Sequence, residues 1–392
     1  MLRKIQITGL LFLLCLGGCG EPPDAGAGAA PKVYRHAMDG APSSLDPAQA
    51  ASIYANFIVL NLYDTLFRYK YLARPYQLHP NLAAAMPEVS EDGLVITIPI
   101  KQGVYFIDDP AFNGGLGREI KASDFVYSIK RHFDPAMRAQ GAWLWQQRIV
   151  GLDEWKSQGS DYDAVVPGLR ALDDYTVQIT LTRPFPQLIH TLTQGYAAVV
   201  PREAVEQYGQ QFSSHPVGSG PFMLKNRDSA RAILVKNPAF RPEPFDLATE
   251  GHDPATPLSA RLEALQGRVP PFVDRLEFEF ITEDAARWNT FAAGEVHFIK
   301  VPVSQFDAIL AQRDPVTLKP YLADRYHFQA APDAGFIYTN FNMADARIGY
   351  HPDPEQNRRN HALRCAMVKA FDWDKRNEIF FYDIGQVFPG II

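Results

Sequence analysis

The sequence predicts an α/β protein of more than one domain, and three observations carry that expectation. The chain has 392 residues, enough for two or three domains of roughly 100–200 residues each. Short stretches that alternate apolar and polar residues recur between patterns of helical spacing. After a stretch from Pro242 to Pro271 that is rich in proline, alanine and glycine, a strand–helix–strand order begins afresh. A hydrophobic fraction of 46% can supply sizeable cores, and the 31 prolines and 12% aromatic residues suit long loops and an aromatic-lined cleft better than a helical bundle.

The elements follow in order. Val33 to Ala37 alternates as a short strand. Ile53 to Tyr63 has helical spacing. Leu94 to Ile100 is a strand after the turn Glu91-Asp92-Gly93, with Pro99 placing it at an edge or near a bulge. Gly103 to Phe106 reads as another strand. Ser123 caps a helix whose Phe125, Ile129 and Phe133 share one face. Asp174 to Leu181 is a turn and then an alternating strand, and Val200-Pro201-Arg202-Glu203 starts a further helix. Ala232 to Val235 is a strand, and the Pro242 to Pro271 stretch is a surface insertion or linker. Leu276 to Phe280 alternates cleanly. Thr282 caps a helix that Gly294 ends, and Val296 to Ile299 follows as a strand. Phe336 to Phe341 is a late strand, and Leu363, Met367 and Phe371 form one face of a late helix. The chain stops at Ile392 without a closing element, which reads as a cut in mid-fold.

Catalytic templates are missing from this pattern. There is no His-Glu-x-x-His, no paired Cys-x-x-Cys, no phosphate-cradling loop followed by lysine, and Gly218-Ser219-Gly220 has the wrong spacing for a nucleophile elbow. His351 and His361 flank a charged stretch and read as solvated. The pairs Asp108-Asp109 and Asp173-Asp174 read as turn formers. The formal net charge of -6 comes without a basic run or basic–aromatic stripe, so no nucleic-acid partner is expected. No metal and no cofactor are expected. Of the three cysteines, Cys15 and Cys19 lie near the start, and Cys365 is left alone on an apparent apolar helix face, where a buried structural thiol is the expectation.

The N-terminus has a basic tip, Arg3 and Lys4, then an apolar run from Ile7 to Leu16 too short to span a bilayer. It ends in Leu16-Gly17-Gly18-Cys19, which resembles the lipobox of bacterial lipoproteins. That resemblance implies cleavage before Cys19, lipid on Cys19, and work in the periplasm or at the cell surface on a lipid anchor. Gly20 follows where an aspartate would suggest inner-membrane retention. Residues Gly20 to Ala30 form a flexible tether.

A set of short phrases runs in fixed order behind this start. Ser44-Leu45-Asp46-Pro47 comes first, then Leu62-Tyr63-Asp64-Thr65-Leu66, Pro80-Asn81-Leu82-Ala83 and Ser90-Glu91-Asp92-Gly93-Leu94. Lys101-Gln102-Gly103-Val104-Tyr105-Phe106 and Ile120 to Ser128 follow, then Pro216-Val217-Gly218-Ser219-Gly220-Pro221-Phe222 and Ile233 to Pro238. Ala293-Gly294-Glu295-Val296 and Asn340-Phe341-Asn342 close the series. The succession resembles family 5 extracellular solute-binding proteins, the oligopeptide-, dipeptide- and nickel-binding receptors of ABC importers, over essentially all of the chain from Val33 onward.

The resemblance implies a periplasmic binding protein type II-like fold, with two lobes of mixed sheets and an extra subdomain in the first lobe. The expected division is a signal peptide over 1–18, a lipidated tether over 19–32, a first lobe from 33–63 and 201–272, its extra subdomain over 64–200, and an incomplete second lobe over 273–392. By position, Gly141 to Trp145 matches the family segment that presents an aromatic residue to the ligand backbone. Trp143 is the first candidate and Trp145 the second, and either could instead pack between subdomains. Ile53 and Tyr54 match the family's N-terminal cleft strand. Ser219 and Gly220 sit in a turn with backbone freedom to approach a ligand, or simply to connect strands tightly. Asn340 could reach the cleft from the second lobe, while Tyr338 is expected to pack the sheet.

Two stretches are longer than the family pattern, Asp108 to Arg118 and the proline-rich one after Phe245. The acidic residue that pairs with a peptide's amino terminus in relatives lies beyond the point matching Ile392. The expected function is therefore capture of a peptide by lobe closure and its delivery, by a monomer, to an ABC permease. The same fold could take another solute, such as a nickel complex, haem, an opine or an oligosaccharide. A lipid-anchored envelope hydrolase is the alternative of another class, and it lacks a nucleophile–base pair at suitable spacing.

Overall fold

A computed structural model describes residues 30–255, 259–330 and 338–387. The signal stretch, Cys19 and most of the tether lie outside the described residues. A four-stranded sheet organises one part of the chain, in the spatial order Val33–Met38, Arg275–Phe280, Arg231–Lys236, Phe222–Arg227. The first two strands run parallel, from Val33 opposite Arg275 to Met38 opposite Phe280, and the remaining pairs are antiparallel. On the free side of Val33–Met38, a parallel bridge joins His36 to Phe298.

Arg275–Phe280 was expected to open the second lobe at residue 273. It lies instead inside the same sheet as Val33–Met38. Period-two alternation makes the strand readable but is silent about which strand it pairs with. The expected strand Val296 to Ile299 is reduced to that single bridge at Phe298 and two flanking bonds, Ala37 N–H to the Phe298 carbonyl and His297 N–H to the Arg35 carbonyl.

A second four-stranded sheet is fully antiparallel, in the order Glu88–Val89, Val95–Pro99, Thr176–Thr180, Leu169–Asp173. Alternation does here what the sequence implies: Ile96, Ile98, Val177 and Ile179 all point into the core. Pro99 ends its strand, beyond the reach of the two-residue edge strand. The helix Ala122–Lys130 packs on this sheet through Phe125 and Ile129, with Phe133 continuing the buried face. Its N-cap is Lys121 rather than the expected Ser123, because Asp124 reaches back to accept the Lys121 N–H at 2.8 Å. One continuous core runs through both sheets and the helix Ile53–Leu62.

Three further expectations change. Gly103 to Phe106 forms no strand and contributes one bridge, Tyr105 to Glu119. Asp109 is more than a turn former, since its buried carboxylate also accepts from Tyr208 and contacts His215, both at 2.7 Å. The proline-rich stretch is no free linker: buried Glu250 binds the Arg68 guanidinium through two bonds of 2.9 and 2.5 Å and accepts the Tyr71 N–H.

Later elements bury less. The helix Asp284–Ala292, capped by Glu283 rather than Thr282, ends near Gly294, which sits at φ +78 where a side chain is disfavoured. The helix Pro354–Ala370 buries only Asn360, whose amide donates to the Ala346 and Gly349 carbonyls. Its expected core face is exposed at Leu363, Met367 and Phe371, and Cys365 is exposed with its sulfur 3.8 Å from His361 Nε2. Of the expected strand Phe336 to Phe341, residues 336 and 337 lie outside the described residues, and 338–341 form no strand.

Candidate functional site

The helix Ile53–Leu62 divides its apolar side chains between two faces. Ser52 caps it by accepting the Ala55 N–H at 3.1 Å. Ala55, Ile58, Val59 and Leu62 face the core. Ile53, Phe57 and Leu60, spaced by four and three residues, form a stripe on the other face and are 64%, 44% and 46% exposed. The stripe continues onto the sheet: the half-buried His36 ring meets Phe57 edge-on at 5.4 Å and the exposed Phe298 at 4.9 Å. Burial lowers the His36 pKa, against a smaller opposing pull from Asp39.

Ile53 and Tyr54, expected on a cleft strand, occupy the first turn of this helix. The Tyr54 ring approaches Gly40 so closely that a Cβ there would come within 2.4 Å of it. Its pKa is raised, by burial first and by the neighbouring Asp39 carboxylate second.

Trp143 is 63% exposed in the short turn Ala142–Leu144. The chain before it is pinned to the residues ahead of the helix: Gln140 N–H donates to the Ala48 carbonyl at 2.9 Å, and Gln49 Nε2 to the Met137 carbonyl at 3.0 Å. Gly141 nests against His132 and Tyr196, while neighbouring Gly195 nests against Asn56 of the helix.

Trp145, two residues on, has the opposite fate. It is fully buried, donates its indole N–H to Thr191 Oγ1 at 3.0 Å, and meets His132 edge-on at 5.0 Å. It is a core residue here, as the alternative reading allowed. His132 is itself buried, with Nε2 bonded to the Tyr196 carbonyl at 2.8 Å, and burial pushes its pKa down to about 4.

Ser219 and Gly220 are also inside. A Cβ at Gly218 would lie 2.2 Å from the Leu62 carbonyl oxygen, and one at Gly220 2.6 Å from the Leu62 carbonyl carbon. The glycines therefore serve a close approach to the end of the helix, sealed by Gly220 N–H to the Leu62 carbonyl at 3.0 Å. The Ser219 hydroxyl donates to Asp64 Oδ2 at 2.8 Å. Asp64, buried, also accepts from Arg241 at 2.8 and 3.1 Å and from Asn81 at 3.0 Å. Burial opposes the charge on Arg241, and Asp64 more than offsets it, so the Arg241 pKa is raised. Asp64 and Arg241 were not singled out in the sequence; the signal for Asp64 was an acid embedded in the apolar phrase from Leu62 to Leu66.

Ser219 and His215 do not form a nucleophile–base pair, because Ser219 is bonded to Asp64 and His215 to Asp109. Asn340 is exposed on irregular chain, and no described contact joins it to Trp143. An open groove of about 700 Å³ is lined by Asp109, His215, Met223 and Arg227 and includes none of the candidate residues. Among the described residues, no group of three or more His, Cys, Asp or Glu could hold a metal ion, and no helix is long and apolar enough to cross a membrane.

These exposed aromatic and aliphatic side chains are carried on a frame of two four-stranded sheets. That frame has known counterparts. The periplasmic binding protein DppA from Helicobacter pylori, solved with the peptide STSA, superimposes with a TM-score of 0.53 at 24% identity, over 71% of this chain and 49% of that one. The oligopeptide-binding protein AmiA of Streptococcus pneumoniae serotype 4 is 29% identical over 250 residues, 61% of this chain and 36% of AmiA. The glutathione-binding protein GsiB of Escherichia coli O1:K1 / APEC is 27% identical over 236 residues, 60% of this chain and 40% of GsiB. The chain therefore spans well under two thirds of the length of these relatives. The model of the bacterial extracellular solute-binding proteins, family 5 (middle), matches residues 77–390, most of the chain, and the chain belongs to that family of substrate-binding proteins.

Proposed function

We propose that this chain captures peptides outside the cytoplasm for an ABC importer, by closing two lobes on the ligand. Lipid on Cys19 would hold it at a membrane, as a monomer, where it meets both diffusing peptide and permease. The observation that carries the reading is the set of exposed large apolar side chains, Trp143 and the helical stripe Ile53, Phe57 and Leu60, in a chain of a solute-binding family. A large aromatic side chain left in water costs solvation that ligand burial recovers, at about 25 cal/mol per Å² of apolar surface. Exposed apolar groups in a stripe mark a binding surface. Main-chain bonds to an extended peptide then give affinity without strict sequence preference.

Binding needs no covalent step, and the buried Ser219 is consistent with that. The relative named for glutathione favours a second reading, in which the cargo is a short thiol peptide of that kind. Titration calorimetry of the intact protein with a mixed di- to pentapeptide pool, and with glutathione, tests both. Heat and a raised Tm with the pool support the peptide reading. Glutathione alone would replace it with the second, and no response to either would refute both.

A further inference from the structure

The strand Phe222–Arg227 is the outer strand of its sheet among the described residues, and its later part lines the open groove of about 700 Å³ at Asp109 and His215. That volume falls in the range of roughly 300–1,000 Å³ usual for sites that take a small organic molecule. Leu224 pairs with Leu234 and Asn226 with Ile233, so Lys225 is the extra residue of a β-bulge, a device that re-aims side chains at sheet edges. Lys225 is exposed, and Arg227 is half-buried. Arg227 spends one Nη2 hydrogen on the Pro42 carbonyl. Neither cation has an ion-pair partner among the described residues. Burial lowers the Arg227 pKa, and no neighbouring carboxylate offsets it.

The acids of the groove are already engaged. Asp228 Oδ1 accepts the Ala230 and Arg231 N–H groups at 2.8 and 2.9 Å in the turn to the next strand. Asp108 Oδ1 accepts the Gly117 N–H at 2.8 Å. Buried Asp109 accepts the Ala111 N–H at 2.9 Å besides its contacts with Tyr208 and His215. Ile107, Pro216, Met223 and Leu224 add apolar wall. A half-buried guanidinium without a carboxylate carries a desolvation cost that an anion entering the groove removes.

We propose that this groove is a second binding site, separate from Trp143 and the helical stripe, and that Lys225 and Arg227 together hold the phosphate group of an organic phosphate in it. A tetrahedral phosphate spreads its acceptor oxygens in space and can bind both cations at once, whereas a planar carboxylate matches the guanidinium fork alone. The organic body of the ligand then lies against the apolar wall. A lipid headgroup and a soluble phosphate ester share this chemistry.

The test is calorimetry of the intact protein at low salt with sn-glycerol 3-phosphate, with dihexanoyl-phosphatidylglycerol below its micelle concentration, and with glycerate as the carboxylate control. The wild type should bind at least one of the two phosphates, about tenfold or more above glycerate, and added salt should weaken it. Lys225→Gln and Arg227→Gln should each weaken that binding about 10- to 100-fold and leave the affinity for the peptide pool unchanged. Binding of the lipid alone assigns the site to a membrane headgroup, and binding of glycerol 3-phosphate assigns it to a soluble ester. Because Lys225 is exposed, Lys225→Gln should keep the wild-type Tm, so it decides the matter even if loss of the Pro42 bond unfolds the arginine variant. Unchanged phosphate binding in Lys225→Gln, or no binding of either phosphate by the wild type, would overturn the proposal. Glycerate bound as tightly would overturn the phosphate assignment, and a matching loss of peptide affinity in Lys225→Gln would overturn the separateness of the site.

Discussion

Acidification should destabilise this protein through His132, and the size of the effect follows from its burial. The ring is enclosed by Trp145, Tyr196 and Gly141, with Nε2 bonded to the Tyr196 carbonyl. Its pKa falls from an ordinary 6.5 to about 4, chiefly through burial, helped by the neighbouring Arg131 charge. Above pH 6.5 the imidazole is neutral in both folded and unfolded chains and adds no pH dependence. Between 6.5 and 4 the unfolded chain takes up a proton that the folded one excludes, so stability falls as pH falls. Below about 4 both states are protonated and the loss from this group is complete. At 1.36 kcal/mol per pKa unit the full loss is roughly 3 kcal/mol, of which about 2 kcal/mol is reached by pH 5. Urea unfolding of the wild type and His132→Gln at pH 7.5 and pH 5 isolates the contribution from the carboxylates that titrate in the same range. The glutamine variant should be the less stable at pH 7.5, and its deficit should shrink by about 2 kcal/mol at pH 5. Parallel pH dependence in the two proteins would refute the reasoning.

Two other substitutions follow from the geometry. Asp64→Asn leaves Arg241 charged in a site where its side chain is only 11% exposed, and the loss should be about 3–5 kcal/mol in denaturant unfolding. Trp143→Ala and Trp145→Ala should separate binding from folding. The first should lower peptide affinity about 10- to 100-fold in calorimetry with little change in Tm, and the second should cost about 3–5 kcal/mol of stability, since it empties a filled core site.

Most elements were legible because their signals are local. Val95–Pro99 and Thr176–Thr180 alternate with period two, and their inward residues Ile96, Ile98, Val177 and Ile179 are the buried ones. Phe125, Ile129 and Phe133 share a face at helical spacing and do pack together with the sheet. The Gly103 to Phe106 stretch carried a similar pattern and formed no strand, because only one residue pair found a partner. The reading of Cys365 failed for a related reason: helical spacing groups Leu363, Met367 and Phe371 on one face but does not supply a surface to cover them.

The candidate site divides along the same line. Backbone freedom at Gly218 and Gly220 was visible in the residue types, while its use, a close approach to Leu62, depends on chain far away in the sequence. Trp143 and Trp145 are two positions apart and of one residue type, and the sequence reading put Trp143 first and Trp145 second as ligand contacts while leaving open that either packs inside. Only the surrounding Thr191, His132 and Tyr196 decide which is enclosed.

By itself, the sequence determined the α/β class, the positions of most strands and helices, and the family phrases in their order. Those properties are written in side-chain periodicity and turn chemistry over a few residues. The tertiary structure alone decided that Arg275–Phe280 lies beside Val33–Met38, that Trp143 faces water while Trp145 does not, and that Ser219 is spent on Asp64. Partner choice and burial are set by contacts between residues far apart in the chain, and no local pattern encodes them.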